Sequence, residues 1–264
     1  IVVDDCSNDN TFSIISQFDC IVLKNDKNSG GPNKGRNAGL KMATGDYICI
    51  VDQDDVWQSD KIKQFLPYLD KAPIITSGYW VIDSINNRKV ERVKKSESGF
   101  IFYEKNKTFI DKISRNKNSQ NTYLGSILFK SNLKDILFEE HFGMVDFDWI
   151  LRLFYNQTSI EICKPLYIRY VGEKNLSLNE SYRRYDFYYS LLSLEQYQSE
   201  YPREVNIGYK RIFGSRARYY YMIENMPKAR FYFSKSDWNL KTLLYYISSY
   251  WGYRFVNKKF EVFG

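Results

Sequence analysis

The sequence predicts an α/β fold: a mostly parallel sheet flanked by helices, followed by a helical C-terminal extension. Three observations lead there. The first eighty residues alternate short apolar runs with amphipathic segments, the pattern of a sheet whose faces are covered by helices. Two of these runs end abruptly in carboxylates, at Asp4-Asp5 and Asp52-Gln53-Asp54-Asp55, and strand ends are where open α/β sheets bind ligands. From about residue 180 onward the apolar spacing is helical, which divides the chain into residues 1–180 and 181–264.

Strands are predicted at 1–3, 20–24, 46–51 and 73–77 from their apolar, β-branched content. The first, Ile1-Val2-Val3, reads as a buried strand with nothing before it, so an N-terminal truncation is expected. Asn8 to Thr11 then supplies turn and helix-capping residues. Asn33 to Thr44 is a predicted helix with Gly35, Ala38, Gly39 and Met42 on one face and Gly45 as its stop. A second helix starts from Ser59 as N-cap, with Ile62, Phe65, Leu66 and Leu69 as its inward stripe. Residues 85–120, rich in Lys, Asn and Ser, read as irregular despite Phe100-Ile101-Phe102-Tyr103. Around 145–155, Phe147, Ile150, Leu151 and Phe154 keep helical spacing and leave Trp149 and Arg152 pointing elsewhere, with Asp146 at the first turn. Past residue 180 the stripes are Tyr185, Tyr188, Tyr189, Leu192 and then Leu240, Leu243, Leu244, Ile247, Trp251, which would pack on the rest of the chain or on another copy.

Composition narrows the classes of function. With 264 residues, 44% of them hydrophobic, the chain can bury a sizeable core, which excludes disorder. The four cysteines are widely spaced and three lie in apolar runs, pointing to a reducing, cytoplasmic compartment. No apolar stretch reaches the roughly 20 residues of a spanning helix. The formal charge of +7 suits anionic partners such as nucleotide phosphates or an acidic membrane surface. Nucleic acid is not expected, since no nucleic-acid-binding signature accompanies the charge.

The chemistry concentrates in Ile48 to Trp57, where a strand ends in three carboxylates. Such crowding repels unless a cation is present. Magnesium or manganese fits, because these hard ions take one or two carboxylates and complete their shell with water and substrate phosphates. A solvated acidic turn capping the next helix is the competing reading. Between the two acidic strand ends, Asn28 to Gly39 is a glycine-containing loop feeding a helix whose first turn carries Lys34 and Arg36. A helix N-terminus with basic side chains favours phosphate, although neither a P-loop nor a dinucleotide glycine spacing is met.

Taken together, Asp4-Asp5-Cys6-Ser7, the Asn28 to Gly39 segment and Asp52-Gln53-Asp54-Asp55-Val56-Trp57, in this order and spacing, resemble family-2 glycosyltransferases with the Rossmann-like GT-A fold. The resemblance runs over about residues 1–180 and implies an inverting, metal-dependent transfer of sugar from a nucleoside diphosphate donor, usually with uracil as its base, onto a saccharide or lipid-linked hydroxyl acceptor. It implies surface polysaccharide or glycolipid synthesis in the cytoplasm or at the inner face of the membrane, with peripheral membrane contact. Asp5 would recognise the base, and Asn28, Lys34, Arg36 and Asp52 would line the donor nucleotide. Asp54 would hold Mn2+ or Mg2+, with Asp4 and Asp55 in support. Val145 to Arg152 matches the family's acidic residue ahead of an aromatic helix, which gives Asp146 the place of the catalytic base. Read by itself, Asp146 is more readily a helix N-cap than a base.

The sequence departs from the family pattern in two places. Val145 stands where an acidic residue is usual, and Ile168-Arg169-Tyr170-Val171 stands in place of a Tyr-Arg-x-His motif, leaving a third metal ligand unassigned. His141, the single histidine, reads first as a surface-loop residue, with an approach to the donor or acceptor as the alternative. A donor-binding or membrane-associated scaffold without turnover is the alternative function, as these departures suit it.

Overall fold

The computed structural model describes residues 1–84, 87–141, 143, 146–172 and 180–252. Two compact units divide the chain, one made of Ile1–Asp111 and Asn118–Asp186, the other of Lys112–Lys117 and Phe187–Gly264.

The first unit opens with β1 (Val2–Asp4), α1 (Thr11–Ile15) and β2 (Val22–Lys24), β1 and β2 forming a parallel pair. α2 (Asn33–Met42) follows, then β3 (Tyr47–Cys49), β4 (Asp55–Trp57) and α3 (Lys61–Phe65). The rest comprises β5 (Ile74–Asp83), β6 (Arg88–Arg92), β7 (Phe100–Tyr103), α4 (Lys107–Ile113), β8 (Leu128–Lys130), α5 (Phe147–Phe154) and β9 (Ser159–Val171). The larger sheet runs β3-β8-β5-β9-β4, with β6 added to β5 and β7 to β9.

The α/β class is as predicted, but the sheet is less parallel than expected. Among the described residues only β1·β2 and β5·β9 are parallel, and the other five pairings are antiparallel. The difference lies in β4, β6, β7 and β8, each of which pairs only antiparallel with its neighbours. Long β5 and β9 pair along most of their length and form the spine, with Ile74, Ile75, Ile160 and Ile162 buried at its centre.

Several local expectations are corrected. Ile1 and Val2 are exposed rather than buried, at 48% and 36%, as β1 pairs only with β2 among the described residues. The α3 stripe is also misplaced: Ile62 and Leu66 face solvent while Lys61 and Phe65 are buried. Asp60, not Ser59, precedes the helix, and its side chain makes no capping bond. Pro67 then tightens the chain into a 3-10 turn, Leu66–Tyr68. Residues 87–120 hold β6, β7 and α4 rather than irregular chain, because Tyr103 and Phe109 are buried and anchor them. In α2 the small face does meet the sheet, with Gly35 and Gly39 both over Val3, whereas Met42 is exposed.

The second unit contains α7 (Pro202–Met222), α8 (Met226–Ser234) and α9 (Leu240–Ser248), preceded by α6 (Glu180–Glu195), which begins in the first unit. Its core is Ala217, Tyr220, Tyr221, Ala229, Phe233 and Tyr245. The predicted stripes do not pack on the rest of the chain: Tyr185, Tyr188, Leu192, Leu240, Leu243, Leu244, Ile247 and Trp251 are all exposed. By sequence Trp251 to Lys259 also suits a membrane-surface helix, and most of that run lies outside the described residues. Among the described residues no helix is long and apolar enough to cross a membrane, and all four cysteines are free thiols.

Candidate active site

The site is assembled from the C-terminal ends of β1 and β3, the N-terminal half of α2 and the start of α5. At the end of β1, Asp5 organises the loop that follows β2. Its carboxylate accepts from Asn25 Nδ2 at 2.6 Å, Ser29 N at 2.9 Å and Ser29 Oγ at 2.7 Å. Burial raises the Asp5 pKa, but these bonds and the nearby Lys34 outweigh it and hold the group below its ordinary value. Asn28 closes the same loop, donating to the Asp5 carbonyl at 3.1 Å and accepting from Gly30 N at 2.9 Å. Asp4 turns inward: it is buried, accepts from Ser7 N at 3.1 Å, and keeps Oδ2 without a hydrogen-bond partner.

α2 connects this loop to the second acidic strand end. Arg36 donates through one guanidinium nitrogen to both oxygens of Asp52, at 2.7 and 2.8 Å, and through the other to Asn33 Oδ1 at 3.0 Å. Its plane lies 5.3 Å from the Phe138 ring centre. Lys34 is exposed on the rim of an open cleft lined also by Ser29 to Asn33, Glu140, His141, Gly143 and Tyr182. His141 is a loop residue, its side chain 68% exposed and 3.9 Å from Glu139.

The three carboxylates of the acidic turn are differentiated by their surroundings. Asp52 is held by Arg36. Asp54 is exposed at the tip of the turn. Asp55 is drawn back into β4, accepting from the Tyr167 hydroxyl at 2.5 Å and from Tyr170 N at 3.3 Å. Burial, followed in effect by its acidic neighbours, raises the Asp55 pKa in spite of the Tyr167 bond. Among the described residues no cluster of three or more His, Cys, Asp or Glu forms a ready-made metal cage. The donor set does fit a hard cation that uses one or two carboxylates and takes its remaining ligands from phosphate and water, with Asp54 and Asp52 as its protein ligands.

Asp146 enters from the other side. It occupies the N-cap position of α5, as the residue read by itself suggests, but its side chain makes no capping bond. Burial raises its pKa, Arg36 and Arg169 oppose that rise and Asp52 adds to it. Asp146 therefore shares one electrostatic environment with the Arg36–Asp52 pair. Val145 lies outside the described residues. Arg169, within the segment that departs from the family motif, donates to the Tyr123 hydroxyl at 3.3 Å and stacks on its ring.

Sequence reasoning missed two buried amides that position this half of the site. Asn37 accepts from Phe138 N and donates to both Phe138 O and Glu140 Oε1, each at 2.8 Å. Asn33 donates to Glu139 O at 2.8 Å. These bonds tie α2 to residues 138–140 and so to the segment leading to Asp146. Their partners lie about a hundred positions away, which leaves no local signal to find. Trp149 supports the same segment, donating to Ile136 O at 2.6 Å and stacking on Phe138 at 4.4 Å; it is buried with the α5 core rather than turned away.

Fold and site together define an α/β protein that gathers an acidic turn, an arginine bridge and a helix N-terminus at its strand ends. Residues 1–137 match the model of Glycosyl transferase family 2, just over half of the chain, and the protein belongs to that family. Asp146 lies beyond the matched region. Among similar proteins, the poly(ribitol-phosphate) beta-N-acetylglucosaminyltransferase TarS of Staphylococcus aureus is 37% identical over 75 residues, 27% of this chain and 13% of TarS. The putative teichuronic acid biosynthesis glycosyltransferase TuaG of Bacillus subtilis is 38% identical over 74 residues, 26% of this chain and 29% of TuaG. The matched segments thus span less than a third of either relative. The crystal structure of S. aureus TarS 1–349 in complex with UDP-GlcNAc superposes with a TM-score of 0.61 at 19% identity, covering 89% of this chain and 72% of that one. This likeness is one of fold, and it bears out the GT-A architecture that the resemblance implied.

Proposed function

We propose that the protein transfers a sugar from a nucleoside diphosphate donor, UDP-linked, to a hydroxyl acceptor with inversion, in the synthesis of a surface polysaccharide or glycolipid. The observation that carries this reading is the Arg36–Asp52 bridge lying within the field of Asp146. It sets a cation and the acidic turn on the donor side of a carboxylate suited to take a proton. Family membership supports it, as does similarity to a poly(ribitol-phosphate) beta-N-acetylglucosaminyltransferase and to a glycosyltransferase assigned to teichuronic acid biosynthesis.

In this reading Asp5 and Asn28 hold the loop against which the base sits, and Arg36 and Lys34 face the diphosphate. Asp146 accepts the acceptor hydroxyl's proton as that oxygen bonds to the anomeric carbon. The bond from that carbon to the diphosphate oxygen breaks on the opposite face, and its electron pair leaves with the diphosphate. A raised carboxyl pKa strengthens Asp146 as a base, and general-base assistance of this kind contributes about 10²–10⁴-fold. Arg36 and Lys34 offset the charge gathering on the leaving group. A Mn2+ or Mg2+ ion held by Asp54 and Asp52 would add Lewis-acid stabilisation to the diphosphate. The acceptor is a saccharide or a lipid-linked chain, met in the cytoplasm or at the inner face of the membrane through peripheral contact.

Calorimetric titration with UDP and with GDP, each with and without manganese, tests the donor site. UDP binding should require manganese and disappear in Asp54→Ala. Asp146→Asn should keep UDP binding and lose transfer to acceptor. If both variants retain full activity, the site is assigned wrongly; binding without any turnover by the wild type would favour a scaffold that only holds the donor.

A further inference from the structure

The acidic turn rests on a buried charge that the reaction does not use. Lys61, the first residue of α3, is 1% exposed. Its ammonium donates to the Gly125 carbonyl oxygen. It lies 4.1 Å from the ring centre of Trp57, 5.5 Å from Phe65 and 5.9 Å from Tyr167. An uncharged chain of similar length would fill this space without the desolvation cost of an ammonium, so packing alone does not account for a lysine here. A cation adds direction. Attraction to ring faces and a charge-assisted bond to a carbonyl fix the surrounding walls relative to one another.

Two of those walls bear on the acidic turn. Trp57 ends β4, two residues after Asp55, and its register partner on β9 is Tyr167. The Tyr167 hydroxyl is the group that draws Asp55 back. Gly125 lies so close to the Tyr167 ring that a Cβ there would meet Cε2 at 2.5 Å. The carbonyl bound by Lys61 thus belongs to the residue against which Tyr167 is pressed.

We propose that Lys61 is a positioning residue for the acidic turn: its buried ammonium fixes Trp57 and Tyr167, so that Tyr167 holds Asp55 back and leaves Asp52 and Asp54 to face the donor. The inference rests on the nucleotide-sugar reading for its consequence, though not for its geometry. Lys61→Met keeps the length and removes the charge, and Tyr167→Phe removes only the hydroxyl on Asp55. In ligand-free protein, backbone hydrogen exchange across residues 52–57 should quicken about tenfold in either variant, a local opening that leaves the β5·β9 spine unchanged. Manganese-dependent UDP binding should weaken about tenfold, the scale on which partners of metal-holding side chains act. Because both variants break one linkage, the double variant should be no worse than either single one. Should Lys61→Met fail to fold, Lys61→Gln, uncharged but able to donate to Gly125, replaces it. Unchanged exchange at 52–57 in the charge-removing variant, or effects that multiply in the double variant, would overturn the proposal. A wild type that binds neither UDP nor manganese refutes the donor reading instead, and the ligand-free exchange still decides the role of Lys61.

Discussion

Gly125→Ala places a methyl group where the structure has no room for one. The added Cβ would stand 2.5 Å from Tyr167 Cε2, 2.9 Å from Cδ2 and 3.0 Å from Cζ, against roughly 3.5–4.0 Å for carbon atoms in comfortable contact. Tyr167 is 1% exposed, so its ring cannot swing into solvent, and moving it strains the bond to Asp55. Ring or backbone must yield by about 1 Å, and overpacking of this kind costs about 1–3 kcal/mol. For a unit of this size each kcal/mol lowers the melting temperature by roughly 2–4 °C, so a fall of roughly 2–12 °C is expected in circular dichroism. Tyr167→Leu, which removes the ring atoms in the clash, should make the two losses less than additive. An unchanged melting temperature, or strictly additive losses, would show that the ring and the glycine do not confine each other.

Gly39→Ala should behave in the opposite way. A Cβ there would lie 3.7 Å from Val3 Cγ2, an ordinary contact, so alanine gains helix propensity inside α2 without a clash, about 0.5–1 kcal/mol; a lower melting temperature would contradict this. Lys61 should make stability depend on alkaline pH. Burial pulls its pKa from 10.5 down to about 8, so the destabilisation is fully present below about pH 8. Between there and pH 10.5 the unfolded chain holds a proton that the folded one has released, and stability therefore rises with pH across that window. Measured by urea denaturation, the stability of wild type relative to Lys61→Met should rise by about 3 kcal/mol from pH 7 to pH 10.5; a difference constant with pH would mean that Lys61 stays charged throughout.

What was legible in the sequence was whatever announces itself locally. Carboxylates crowded at a strand end, and a glycine-containing loop feeding a basic helix start, betray Asp52, Asp54, Asp55, Lys34 and Arg36 because like charges and turn residues at those spacings are costly in ordinary packing. The Arg36–Asp52 bridge itself was not legible, since it depends on how α2 crosses the end of β3. The face of α3 was misread for a related reason: apolar periodicity assumes that polar residues point outward, and Lys61 inside an aromatic cage reverses the rule. The antiparallel strands at 88–92 and 100–103 were hidden by a lysine- and asparagine-rich composition, although the residues that anchor them are few and apolar. Exposed stripes on α6 and α9 show the converse, helical spacing predicting a helix correctly without telling which side it buries.

The bonds made by Asn33 and Asn37 reach residues 138–140, just past the point at which the family likeness ends at residue 137. A boundary drawn by sequence similarity therefore cuts through a hydrogen-bonded joint. A chimaera spliced at that boundary would strand two buried amides, each at about 1–3 kcal/mol, unless the incoming segment supplied the same carbonyls and amide. Recombination of this chain with relatives should accordingly tolerate a crossover beyond Glu140 better than one at 137, so that α2 and its distant partner segment are inherited together.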